Sequence, residues 1–182
     1  YCMGNCLHKE KFSVEKYNNT DINHYEGTYV NGKKHGYCIE LSLREKKIFE
    51  GQWIYNKKNG MGIEYDEFEN VIYEGQFINN DKCGLGTQYY KNKTIFYEGQ
   101  WKDNNKCGYG KLYYQTPNVL QFTGTFNNNK KVGTGIIYYK NGNIKINGTW
   151  DDDKLIYGTE YWDNGYVKYE GAFYNDKYYG NA

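Results

Sequence analysis

The chain has 182 residues, a hydrophobic content of 38%, a mean hydropathy of −0.98 and a formal net charge of +1. That charge leaves no global field to draw in nucleic acid, and no run approaches the roughly 18 apolar residues needed to cross a bilayer as a helix. The five cysteines, Cys2, Cys6, Cys38, Cys83 and Cys107, are odd in number and form no CxxC pair, which argues against a closed disulfide framework and for a reducing, cytoplasmic setting.

Residues 1 to 24 carry no repeated motif and read as a flexible or capping leader. Within it, Met3-Gly4-Asn5-Cys6 is similar to a myristoylation start followed by a palmitoylatable cysteine, making Gly4 and Cys6 candidate acyl sites. Tyr1-Cys2 precedes that methionine, and His8 stands where the acceptor pattern has Ser or Thr. From residue 25 onward, aromatic-x-Gly-x-aromatic returns: Tyr25 to Tyr29, Phe49 to Trp53, Tyr73 to Phe77, Tyr97 to Trp101, Phe122 to Phe126, Ile146 to Trp150 and Tyr169 to Phe173. The starts are 24, 24, 24, 25, 24 and 23 residues apart. A unit unable to bury its own apolar face has been stacked about seven times, so residues 25–182 form a repeat array. Aromatic residues, 19% of the chain, must supply its core, and Tyr suits a thin sheet where a ring is buried while its hydroxyl reaches a polar partner.

In the unit 73–96, Tyr73, Gly75 and Phe77 alternate with Glu74 and Gln76, the period of a strand with one aromatic and one polar face. Asn79-Asn80-Asp81-Lys82 reads as a tight turn, 83–90 as a second strand, and Lys91-Asn92-Lys93 as a second turn, where later repeats place Asn141-Gly142 and Asn164-Gly165. The unit is therefore a hairpin, and short connections make consecutive hairpins one antiparallel meander, about 65 to 70 Å long for seven pairs of strands. Glycine recurs in two columns: Gly36, Gly60, Gly84, Gly108, Gly133 and Gly180, then Gly62, Gly86, Gly110 and Gly135 two residues further on. Glycine weakens a strand, so a fixed register implies a steric need. Either it opens a slot in which neighbouring rings lie flat, or it marks a bulge. Leu41, Tyr65, Tyr89, Tyr113, Tyr138 and Tyr161 make a third column in phase.

These residues resemble the MORN family, the membrane occupation and recognition nexus repeat, whose motif is roughly Tyr-Glu-Gly-x-Trp-x-x-Gly/Asn-x-x-x-Gly-x-Gly-x-x-x-Tyr. The resemblance covers residues 25 to about 180 and implies a single twisted antiparallel sheet with a groove along one face. It also implies a scaffold or binding module that holds partner segments in cytoskeletal, ciliary or membrane-junction assemblies and often self-associates. Several positions depart from the motif. Cys38 replaces a glycine in repeat one, and Thr123 replaces the motif glutamate in repeat five. In repeat six Ile146 replaces the first aromatic, Tyr157 stands where glycine is expected, and Asp151-Asp152-Asp153 fills the turn, so a bend or a changed groove is expected there. Repeat seven is expected to lack its second strand, leaving an edge for further chain, a second copy or a partner to cover.

A catalytic site is not expected. The histidines His8, His24 and His35 lack a nucleophile with an orienting group at a recognisable spacing, and His35 occupies a turn position that becomes Asn59, Cys83 and Cys107. Cys83 and Cys107 lie two strands apart, about 9.6 Å, too far for a disulfide. No metal or cofactor is expected. Partner contact, to a helical or extended segment of another protein or to a second copy, is assigned to the aromatic columns: Tyr29, Trp53, Tyr65, Phe77, Tyr89, Trp101, Tyr113, Phe126, Tyr138 and Trp150. The alternative is that these rings pack only against one another. Lys34, Lys58, Lys82, Lys106 and Lys131, with Lys154 and Lys177 close to register, form a ladder at the hairpin turns, read as a solvated edge or a contact to anionic lipid headgroups. The favoured function is a non-catalytic scaffold in a cytoskeletal, ciliary or membrane-associated assembly, and the rival is a peripheral lipid-binding or acyl-anchored module.

Overall fold

The computed structural model describes residues 24–180; the leader, with Gly4 and Cys6, lies outside them. Seven hairpins follow one another: β1 (His24–Val30) and β2 (Lys33–Leu41), β3 (Lys47–Ile54) and β4 (Lys57–Tyr65), β5 (Val71–Ile78) and β6 (Asp81–Tyr89), β7 (Ile95–Lys102) and β8 (Asn105–Tyr113), β9 (Leu120–Asn127) and β10 (Lys130–Tyr138), β11 (Ile144–Asp151) and β12 (Lys154–Tyr161), and β13 (Val167–Tyr174) and β14 (Lys177–Tyr179). They form a single antiparallel meander of 14 strands in sequence order, with no helix among the described residues. The chain is all-β, as the repeat predicts.

The two kinds of turn differ in length, which sets the register. Within each hairpin the loop has two residues, both with positive φ, as at Asn79 (φ 53°) and Asn80 (φ 81°). Asn and Asp tolerate this geometry, which matches the right-handed twist of the flanking strands. Each turn from the second to the sixth is also fastened to the one before it. The Lys58 amide donates to Asn80 Oδ1 (2.9 Å) while the Asn80 amide donates to the Lys58 carbonyl (3.0 Å), and the same reciprocal pair joins Lys34 to Asn56, Lys82 to Asn104, Lys106 to Asn129 and Lys131 to Asp153. The connections between hairpins are longer. Asn141-Gly142 lies in a five-residue loop, 139–143, where only Gly142 takes the left-handed conformation (φ 92°), and not in a two-residue turn.

One face carries the core. The first and second motif aromatics pack edge to face within a strand and between repeats, from Tyr25 through Phe49, Tyr73, Tyr97 and Phe122 on one side to Trp53, Phe77, Trp101, Phe126 and Trp150 on the other. Centroids lie 5.2–6.1 Å apart with planes crossed at 83–90°. Each such pair contributes about 0.5–1.5 kcal/mol beyond the area it buries. Where the first column has Tyr, its hydroxyl finds a carbonyl at the ring edge: Tyr97 Oη donates to the Gln100 carbonyl (3.0 Å) and Tyr73 Oη to that of Gln76 (3.3 Å).

The two glycine columns serve different purposes. The second is the slot: a Cβ at Gly86 would meet the Tyr73 ring, with Cζ at 2.6 Å, and one at Gly110 would meet Tyr97 in the same way. The motif glycines Gly75 and Gly99 pair directly with Gly86 and Gly110, so both strands beneath each ring are bare. The first column is the bulge. Gly84 sits at φ +56° beside a register slip between β5 and β6, and its nearest side chain is the Gln76 amide, not a ring. In repeat one, Cys38 fills the slot itself, wholly buried with Sγ donating to the Thr28 carbonyl (3.4 Å), and burial pushes its thiol pKa up.

The expected bend in repeat six is a local substitution. Asp152-Asp153 forms the ordinary two-residue turn, and the sheet continues through β11 and β12. The bulge between β11 and β12 is one residue shorter, which moves Leu155 opposite Trp150. Leu155, 5% exposed, then lies where a Cβ on Gly148 would be (2.6 Å), filling the space that the ring missing at Ile146 leaves open. Repeat seven does have a second strand: β14 pairs through Ala172 with Tyr179, Phe173 with Tyr178 and Tyr174 with Lys177.

Candidate functional site

The lysine ladder lies on the core. Each of Lys34, Lys58, Lys82, Lys106 and Lys131 pairs with the second aromatic of its own hairpin, and its ammonium folds over the rings. Lys58 Nζ is 4.3 Å from the Phe49 centroid, Lys82 Nζ 4.5 Å from Tyr73, Lys106 Nζ 5.4 Å from Tyr97 and 4.4 Å from the neighbouring Phe96, and Lys131 Nζ 5.4 Å from Trp150; Lys34 sits over Tyr25 and Trp53. A cation over a ring face is attracted by the ring quadrupole while the aliphatic stem covers apolar surface. Glu64 bridges Lys58 (3.3 Å) and Lys82 (2.9 Å), and Asp153 holds Lys131 (3.3 Å). Burial draws the Lys34 ammonium pKa down to about 8 and lowers that of Lys106. The expected solvated edge is thus a lid, because register aims these stems across the rings. Lys154 and Lys177 stand one residue off; the lid position belongs to Leu155 and Tyr178.

The aromatic candidates separate into two sets. Trp53, Phe77, Trp101, Phe126 and Trp150 are in the ring column, only 1–6% exposed, so their faces are taken up by one another and out of a partner's reach. Tyr29 is half-buried opposite Lys34. Tyr65, Tyr89, Tyr113 and Tyr138 stand on the other face of the sheet. Their hydroxyls meet the motif acid of the preceding strand: Tyr65 donates to Glu50 (2.6 Å), Tyr89 to Glu74 (3.5 Å) and Tyr113 to Glu98 (3.0 Å). Where Thr123 replaces the acid, its hydroxyl pairs with Tyr138 Oη at 3.2 Å, which explains that departure. Burial and the Glu98 carboxylate push the Tyr113 hydroxyl up to about 12, so it stays a donor at neutral pH.

This second face holds a groove. Over repeats two to four it encloses about 440 Å³ between Met61, Leu85 and Tyr109 on one side and Glu74, Glu98 and Lys111 on the other. Through Met61 and Glu74 it continues into a hollow of about 160 Å³ bordered by Tyr37 and Glu50. The apolar wall is exposed: Tyr37 57%, Met61 51%, Leu85 64% and Tyr109 56%. Burial opposes charge on Glu50, yet hydrogen bonds from Lys47 (2.7 Å) and Tyr65 hold its pKa below the usual range. The sequence signal for this row lies between paired glycines, at Gly60-Met61-Gly62, Gly84-Leu85-Gly86 and Gly108-Tyr109-Gly110, where the middle residue recurs at the same 24-residue interval without keeping its type.

No group of His, Cys, Asp or Glu among the described residues has the geometry of a metal site, and Cys38, Cys83 and Cys107 are free thiols. What the groove can do chemically is bind, with a row of apolar side chains beside a row of carboxylates. No curated protein sequence matches the chain. The family model of the MORN repeat matches residues 25–42, 49–66, 73–95, 97–116 and 122–144, together more than half of the 182 residues. The spacing, the sheet and these matches agree, and the chain belongs to the MORN repeat family.

Proposed function

We propose that this chain is a non-catalytic scaffold that holds a segment of another protein in the groove of the face opposite the rings, within a cytoskeletal, ciliary or membrane-associated assembly. MORN repeats are in general protein- and membrane-binding modules. The observation that carries the protein-binding reading is the exposed row Tyr37, Met61, Leu85 and Tyr109 beside Glu50, Glu74 and Glu98, an apolar wall with ordered polar neighbours on a rigid sheet. The lysine ladder gives less support to headgroup binding, since Lys58, Lys82 and Lys131 are only 17–25% exposed and engaged by rings and carboxylates. A photo-crosslinking residue at Leu85 should capture a partner protein in native extract, and the same residue at the exposed Lys57, the first residue of β4, should not. Equal capture at both positions, or none at Leu85, would defeat the proposal.

A further inference from the structure

We infer that the groove takes an extended, basic, proline-rich segment of the partner, with an apolar residue or proline at every third position and Arg or Lys beside it; this rests on the scaffold reading above. Met61, Leu85 and Tyr109 belong to successive hairpins, so they recur every two strands, about 9.6 Å at the usual strand spacing. A polyproline II chain advances about 9.3 Å in three residues and presents the same side each time, so it stays in phase across the groove. An α-helix offers its nearest match at seven residues, about 10.5 Å, and drifts by about 1 Å per repeat. A β-strand puts its third residue on the opposite side.

Hydrogen bonding points the same way. The strands flooring the groove, β4 to β8, are each paired on both sides, so their backbone offers a ligand no free ladder. A polyproline II segment needs none, because it keeps its backbone in water, and it packs its rings against aromatic walls such as Tyr109. The carboxylates of Glu74 and Glu98 repeat with the apolar row. Glu74 is exposed with Tyr89 Oη at 3.5 Å; Glu98 is half-exposed, with Lys111 at 3.6 Å and Tyr113 Oη at 3.0 Å. Both carboxylates are exposed, so an incoming guanidinium can reach them, displacing Lys111 at Glu98, and pair in a bidentate fork.

The test uses fluorescent peptides and the whole chain. A peptide of Leu-Pro-Arg triplets long enough to span repeats two to four is compared with the same composition shuffled to destroy the three-residue period, and with Leu and Arg placed at heptad spacing on alanine. The triplet peptide should bind roughly tenfold more tightly than either control, a difference that for the shuffled peptide is set by register alone. Leu85→Asp should abolish its binding and Glu98→Lys should weaken it. Both residues are exposed, and unchanged unfolding midpoints would verify that the variants are folded. Equal binding of the shuffled or heptad peptide, no binding of any peptide, or triplet binding untouched by Leu85→Asp would overturn the inference. A partner captured at Leu85 through a helical segment would leave the scaffold reading standing and overturn this one alone.

Discussion

Repeats two to five and repeats six and seven cover the same column of rings, on a sheet one layer thick, with different side chains. In the first group the residue opposite the second aromatic is Lys58, Lys82, Lys106 or Lys131, each lying over a ring. In repeat six that residue is Leu155, and the ring beneath is replaced by Ile146. In repeat seven it is Tyr178, stacked on Tyr169 at 4.0 Å with planes 16° apart and edge-on to Phe173. Register fixes the place of the lid, and what lies beneath fixes its chemistry: a cation over a ring face, a hydrocarbon over a gap, a ring over a ring. The substitution has a cost in continuity. Edge-to-face contacts run unbroken from Tyr25 to Trp150, whereas the rings of Tyr169, Phe173 and Tyr178 make ring contacts only with one another among the described residues, though Tyr169 and Phe173 belong to the same core.

The largest contrast should come from truncating the first column in each region. Tyr97→Ala removes a wholly buried ring that touches Trp101 and Phe126, and should cost about 3–5 kcal/mol. Ile146→Ala, at a half-buried position with no ring partner, should cost about 1–2 kcal/mol. Urea titrations of both variants would measure this, and equal losses would mean that the ring column is no stiffer than its interruption.

The glycines sharpen the same contrast within one strand. Gly86→Ala, beneath Tyr73, should cost about 1–3 kcal/mol through overpacking. Gly84→Ala should cost about 1–2 kcal/mol through its left-handed backbone. Gly84→Asn should recover part of that loss, because Asn tolerates positive φ, while Gly86→Asn should be worse than Gly86→Ala. Thermal midpoints of the four variants decide it, and an Asn that rescues neither position would leave Gly84 as a packing residue after all.

The smallest effect is a coupling. Ile146→Tyr with Leu155→Lys rebuilds in repeat six the arrangement of its neighbours, and the pair should be about 0.5–1 kcal/mol more stable than the sum of the single changes, the size of a cation over a ring. A double-mutant cycle showing no coupling would mean that the lid lysines are placed by register without attraction to the rings.

The strand order, the hairpin unit and the in-phase aromatics were legible in the sequence because each depends on period alone, and period survives in a single chain. The division of labour between the two glycine columns was not, since a slot and a bulge need the same residue; only φ and the nearest ring tell Gly84 from Gly86. Lysine at a turn reads as solvent-exposed until register shows the stem of Lys82 crossing Tyr73. The lining of the groove was hidden for a related reason. Met61, Leu85 and Tyr109 are chemically unlike, so they form no visible column until the pleat places them side by side, while Trp53 and Trp101 are conspicuous and buried.

The reciprocal fastening of successive turns, Lys58 to Asn80 and Lys82 to Asn104, bears on how such a chain acquires its form. Every strand pairs with the strands next to it in sequence, so no hairpin waits for a distant segment before it can close. Contacts of short sequence separation favour rapid folding, and domains generally fold N-terminal part first during synthesis. Here each of the first five turns presents one donor and one acceptor for the next turn to dock on, so assembly can advance like a zipper from whichever of these hairpins forms first. A lengthened turn in the middle of the array would stall that advance at one identifiable rung and leave the hairpins before it already closed.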